Sequence, residues 1–203
     1  MKTEIDAKIV KKLRDETGAG MMNCKNALIE NDGDYEKAVE SLKLKGMEKN
    51  NKKASRNTNE GLIYSYIHTG SKLGILIEIN CETDFVARRE EFSEVAKNVA
   101  MQIASNPDII FVSSEEIPES AKEEVRKFES AKEDLKNKPE EIKNKIVEGR
   151  VEKNLKKQVL LDQEYIRDSN ITVNQYIKQV VGILGENIKV ARFTRYVLGE
   201  TSN

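Results

Sequence analysis

Few residues in this chain have both the type and the spacing that chemistry requires. His68 is the only histidine. A metal centre or an acid–base triad needs further ligands or partners brought together with it, and the sequence shows none. Cys24 and Cys81 lie far apart and lack C-x-x-C spacing, so neither a zinc site nor a secreted disulfide framework is indicated. They are expected as buried thiols in a reducing compartment. Gly18-Ala19-Gly20 looks like the opening of a dinucleotide loop, but it follows a helical pattern and lacks the preceding strand and third glycine. No G-x-x-x-x-G-K-[ST] phosphate loop occurs. Glu90-Glu91 and Glu115-Glu116 are adjacent acids, and neighbours on a helix point apart. The sequence therefore predicts no enzyme, no cofactor and no metal, and leaves binding as the leading class.

Two segments are costly unless they are used for contact. Leu13 to Met22 places Gly18, Gly20, Met21 and Met22 at a helix end, and methionine suits adaptable contact surfaces. The plainer reading is a tight turn above core methionines. Asp84-Phe85 stands between a strand pattern and a helix pattern. There the plainer reading is that Asp84 caps the helix and Phe85 fills the core.

The elements that position these segments follow from periodicity. Ile5, Ile9, Val10 and Leu13 recur at helical spacing, and Gly18 is placed to end that helix. A second helix is expected from about Met22 to Glu30, and Asp34 caps a third that carries Tyr35, Ala38, Val39 and Leu42 and ends at Gly46. Residues 47–60 are almost free of apolar side chains and read as a solvated tether or an exposed extension. Leu62 to His68 and Leu73 to Cys81 alternate with period two about a Gly70-Ser71-Lys72 turn, which predicts a β-hairpin with one face buried. Phe92, Val95, Ala96, Val99, Ala100 and Ile103 then form one helical stripe, which Asn106-Pro107 breaks.

Ile109 to Val112 reads as an extended segment, and Ser113-x-x-Glu116 as a capping box. Ala121, Val125, Phe128 and Leu135 form one helical seam; Ile142, Ile146, Val147, Val151, Leu155 and Val159 form another, opened by Pro139. The tight turn between them predicts an antiparallel pair. Thr172-x-x-Gln175 is a second capping box, opening a helix that Gly185 ends, and Ile188 to Leu198 has a strand's composition. The expected fold class is α+β: a three-helix module at 1–47, a basic polar linker at 48–60, and a core at 61–203 with a small antiparallel sheet and a helical hairpin at about 117–160.

Composition bounds the partners. The 203 residues are 38% hydrophobic and 34% charged, with a formal net charge of -1. Such a balance creates no overall field toward nucleic acid or an anionic membrane. The N-terminus carries early acids and no apolar h-region, and no run approaches the ~20 apolar residues of a membrane span. A cytoplasmic protein is expected. An RNA-binding protein is the alternative class. Its support is the basic cluster Lys49, Lys52, Lys53 and Arg56, and the overall charge argues against it.

Two stretches carry a family resemblance. Leu13-Arg14-x-x-Thr17-Gly18-Ala19-Gly20-Met21-Met22-x-Cys24-Lys25-x-Ala27-Leu28 and Asn80-Cys81-Glu82-Thr83-Asp84-Phe85-Val86-Ala87 resemble the two signatures of the elongation factor Ts family, in the family's order. Glu60-Gly61 and the closing segment with Phe193, Arg195 and Gly199 extend the resemblance along the chain. It implies a ubiquitin-associated-like N-terminal module. It also implies a partner, elongation factor Tu, bound in its GDP-loaded and nucleotide-free forms to promote GDP release. By the resemblance Arg14, Thr17, Gly18, Ala19, Gly20 and Met21 contact that GTPase, as do Thr83, Asp84, Phe85 and Val86, with Asp84 and Phe85 reaching toward its magnesium and phosphates. The asparagines at 50, 51, 57 and 59 stand where the family tends to alanine-rich helix. The chain is similar to short family members, which implies a homodimer.

Overall fold

A computed structural model describes residues 5–17, 19–42, 53–135 and 138–200. Gly18, Gly46, linker positions 47–52 and Asn137, all read above from sequence, lie outside the described residues. The fold is α+β, with a small sheet among several helices. The chain divides into two compact units: Met1–Leu62 with Asn80–Phe92 and Ile177–Lys189, and Ile63–Ile79 with Ser93–Tyr176 and Val190–Asn203. No helix among the described residues is long and apolar enough to cross a membrane.

The first unit begins with α1 (Ala7–Thr17), α2 (Met21–Glu30) and α3 (residues 35–42). Val10, Leu13, Cys24, Ala27, Leu28, Ala38 and Leu42 form their own core, with Ile5, Ala19, Tyr35 and Val39 packed against it. Ile9, expected inward, is 43% exposed; the inward stripe of α1 runs through Val10 and Leu13 instead. Asp34 caps α3 as expected, accepting the Lys37 amide at 3.1 Å. Tyr35 donates to Glu16 at 2.6 Å, and that bond lifts the phenol to about 12.

This unit also holds the segment after the hairpin. The short helix α4 (Asp84–Ala87) follows directly, and α8 (Val173–Leu184) closes at Gly185, whose φ of 84° is the left-handed conformation glycine supplies at a helix end. Positions 54–56 are not a free tether, because Asn187 Nδ2 donates to the carbonyls of Ala54 and Arg56 at 3.2 and 3.0 Å.

In the second unit, β1 (Glu60–Ile67), β2 (Leu73–Cys81) and β5 (Lys189–Val197) supply the sheet, in the order β1-β2-β5. Ile75, Ile77 and Ile79 face inward and are buried, as their alternation predicts. Ile67 lies over Gly74, where an added Cβ would stand 3.2 Å from the Ile67 Cδ1. His68 falls just past the end of β1, exposed, with Nδ1 2.9 Å from the Tyr66 hydroxyl. Helix α5 (Glu90–Ser105) buries its expected stripe. The Ile103 carbonyl in its last turn and the Asn106 and Pro107 carbonyls just past its end accept from Arg195, so this guanidinium closes the helix end.

Helices α6 (Glu119–Ser130) and α7 (Glu140–Lys156) pack on each other. Several sequence expectations change here. The Ser113 side chain makes no cap bond and the residue opens only a short 3-10 turn at Ser114–Glu116, while Glu116 takes the Val112 amide at 2.9 Å. Phe128 and Ile142 are exposed rather than in the seam. Pro139 stands one position before the first residue of α7, not at it, and makes no side-chain cap bond. The run at 109–112 contributes an isolated parallel bridge between Phe111 and Val159. A two-stranded ribbon, β3 (Glu164–Tyr165) with β4 (Asp168–Thr172), has no expectation behind it. The second capping box forms as read: Thr172 Oγ1 accepts the Gln175 amide at 3.2 Å and Gln175 returns the bond at 2.8 Å.

Candidate functional site

Strand β2 ends in a cysteine, and the next six residues turn sharply into a single helical turn. Thr83 is extended (φ -130°, ψ 155°) and is the N-cap of α4: its hydroxyl accepts the Val86 amide at 3.5 Å and its carbonyl the Ala87 amide at 3.2 Å. The cap is thus Thr83 and not Asp84. Asp84 instead pairs with Arg88 one turn on, at 2.8 Å, on the surface. The one turn then sorts its apolar residues. Val86 is 7% exposed, whereas Phe85 is 80% exposed. A phenylalanine left this open costs hydration free energy in the free protein. The core-filling reading of Phe85 is therefore overturned, and Val86 does that work.

The turn is gripped from behind. Glu186 Oε2 accepts the backbone amides of Glu82 and Thr83 at 3.1 and 3.0 Å, and Oε1 accepts the Thr83 hydroxyl at 2.6 Å. In return Glu82 Oε1 accepts the Asn187 amide at 2.7 Å and, at 3.4 Å, an Arg56 guanidinium N–H. Cys81 completes the wall: its thiol donates to the Thr83 carbonyl at 3.1 Å. Burial pushes that thiol up to about 11, with the Glu186 carboxylate adding to the shift. Cys81 thus stays protonated and donating at neutral pH. Both cysteines are free and buried.

The other candidate segment closes α1. Thr17 Oγ1 donates to the Leu13 carbonyl at 2.6 Å, and Cys24 Sγ donates to the Ala19 carbonyl at 3.5 Å. Gly20 is the N-cap of α2 in extended conformation (φ -61°, ψ 146°) with no side-chain cap bond. An added Cβ there would meet only Asn23, at an ordinary 3.6 Å. Nothing among the described residues demands glycine at this position. Arg14 and Gly20 are exposed, Thr17 and Ala19 half-buried, and Met21 and Met22 are 46% and 66% exposed. The methionines thus lie outside the core. Gly18 is outside the described residues.

The profile of the family described as Elongation factor TS matches residues 3–200. The chain belongs to the elongation factor Ts family. It is 80% identical over 200 residues to Elongation factor Ts, chloroplastic, of Phaeodactylum tricornutum, covering 98% of this chain and 99% of that protein. It is 60% identical to the protein of the same name from Rhodomonas salina, covering 98% and 91%. To Elongation factor Ts of Rippkaea orientalis it is 57% identical over 197 residues, covering 97% and 79%. As an elongation factor Ts family member the chain is a translation elongation factor. Within this family member, the residues that sequence reasoning missed are Glu186 and Asn187. They follow the helix-ending Gly185, which was visible, but no periodicity announces a contact across 103 positions.

Proposed function

We propose that this chain binds elongation factor Tu and speeds release of its GDP, with no covalent step. The reading follows the family. The observation that carries it to particular atoms is Phe85, 80% exposed on a turn whose backbone is held by hydrogen bonds on both sides. An exchange factor must bind the empty GTPase more tightly than the GDP-bound one, so each ligand weakens the other by the same factor. Burying Phe85 in a pocket of the partner supplies roughly 2–3 kcal/mol. A wedge near the magnesium ion exploits the metal's poor tolerance of departures from octahedral geometry. Once the ion is lost, the phosphate charges are poorly compensated and GDP leaves. Arg14, Thr17, Ala19, Gly20 and Met21 form the second contact in this reading, with Gly20 bare so that the partner's backbone can approach.

Replacing Phe85 by alanine tests the reading. Fluorescent-GDP release from elongation factor Tu, followed by stopped flow, is expected to slow by at least about tenfold; release at the unchanged rate overturns it. A second copy of the chain is the other proposed partner. Two of the relatives above are named chloroplastic, and we place this factor's work in a plastid's translating compartment rather than in the general cytoplasm.

A further inference from the structure

The turn that presents Phe85 cannot hold itself. Helix α4 is four residues long, and a first helical turn fixes about six dihedral angles for one hydrogen bond. Left to local forces, the turn would fray and the ring would take several directions. Binding would then carry the cost of ordering it.

One side chain from a distant loop removes that freedom. The Glu186 carboxylate engages three donors immediately before α4: the amides of Glu82 and Thr83 and the Thr83 hydroxyl. Hydrogen bonds to an ionised carboxylate are the strong, charge-assisted kind. The hydroxyl bond matters most. With its proton committed to Glu186 at 2.6 Å, the Thr83 oxygen turns its lone pairs toward α4 and accepts the Val86 amide. Glu186 thereby sets the rotamer that makes Thr83 a cap. The loop bearing Glu186 is itself fixed. Gly185 ends α8 in the left-handed conformation. The buried Asn187 side chain ties to the carbonyls of Ala54 and Arg56, and its amide to Glu82. Strand end and loop grip each other reciprocally, and the ring of Phe85 stands on the outside of that grip.

We infer that Glu186 is a positioning residue for nucleotide exchange: it locks the Thr83 cap so that Phe85 meets the partner in one orientation. This rests on the reading of Phe85 as the working side chain. It assigns to Glu186 no contact with nucleotide or magnesium.

The test is a double-mutant cycle in the full chain, with E186A, F85A and the pair. Two readouts are taken: fluorescent-GDP release from elongation factor Tu, and amide hydrogen exchange at Thr83 and Val86 in the isolated factor. E186A is expected to slow release by roughly three- to tenfold and to speed amide exchange at both positions. In the F85A background E186A is expected to change release by less than about twofold, because coupled residues are not additive. E186Q keeps the shape and one strong acceptor and is expected to fall between wild type and E186A. It carries the same cycle if the alanine variant melts far below wild type. A slow F85A beside a wild-type-like E186A overturns the positioning role and leaves the Phe85 reading standing. Equal slowing by E186A with and without Phe85 also overturns it, since Glu186 would then act by another route. An F85A that releases GDP at the wild-type rate removes the Phe85 reading and this inference together.

Discussion

Phe85 and Val86 are adjacent, both apolar, and have opposite fates, 80% against 7% exposed. A one-turn helix anchored at its N-cap has only one face to bury, and Val86 takes it. The signature around Asp84-Phe85 was legible in the sequence, but its division of labour was not. Asp84 and Thr83 are both good caps by type, and only the backbone decides: Thr83 is the extended residue whose hydroxyl reaches the Val86 amide. This separates the two residues by experiment. Thr83→Ala loses the cap and the bond to Glu186, and is expected to lower stability by about 1–2 kcal/mol. Asp84→Asn breaks an exposed pair with Arg88 that is worth roughly 0–1 kcal/mol, and its melting temperature is expected to stay near wild type. Thermal unfolding of the two variants side by side decides it, and an Asp84→Asn that melts lower than Thr83→Ala would return the capping role to Asp84.

Helices α6 and α7 show where periodicity misleads at the scale of an element. Ala121, Val125 and Phe128 fit a helical seam, yet the inward stripe continues through Glu129, which is 1% exposed, while Phe128 is 68% exposed beneath Lys132. A sequence pattern assigns faces by residue type, so a buried glutamate is invisible to it. Glu129 is tolerated inside because Lys132 and Asn154 donate to it at 2.7 and 2.8 Å and Arg150 stands at 3.7 Å; Arg150 also pairs with Asp134. The Lys132 hydrogen bond, followed by the attraction of Lys132, holds the Glu129 carboxyl below its ordinary value of 4.5. A carboxyl depressed in the folded state adds stability above its unfolded value, and that stability is lost as pH falls through the lower folded value. Glu129→Gln is therefore expected to melt below wild type at pH 7, and the gap is expected to close as pH drops from about 4.5 downward. Melting curves for both proteins from pH 7 to pH 3 check this, and a gap that stays constant across the range would remove Glu129 from the account. The long stripes of α5 and β2 were read correctly because every apolar position of the α5 stripe, and Ile75, Ile77, Ile79 and Cys81 of β2, is buried, even though Asn98 and Gln102 are buried on α5 as well.

For the molecule as a whole, one apolar surface stays exposed among the described residues. Ile63, Ile67, Leu76 and Tyr196 are 65%, 62%, 43% and 62% exposed, on three strands of one sheet. Their inward neighbours Ile75, Ile77 and Ile79 are buried, so the alternation places these four on the opposite face. Glu78 and Arg192 pair at 2.7 Å beside them, in a cleft lined also by Ile63, Leu76 and Thr194. A surface holding both signs of charge around apolar side chains can complement itself across a two-fold axis, where each patch meets its own copy. Contiguous exposed apolar patches on soluble chains mark interfaces, and a stable dimer needs about 800 Å² from each partner, an area a three-stranded face can supply. The sequence could suggest this surface but not prove it free, since an alternating strand reads the same whether its second face meets water or another chain. The occupant proposed here is a second copy. Light scattering of the pure protein at micromolar concentration is expected to give twice the chain mass of 23.0 kDa. Leu76→Glu, a charge placed where the two faces would meet, is expected to return it to a single chain without lowering its helix content. A single-chain mass for the unaltered protein at every concentration up to about a hundredfold above that range would leave the face unoccupied by a second copy.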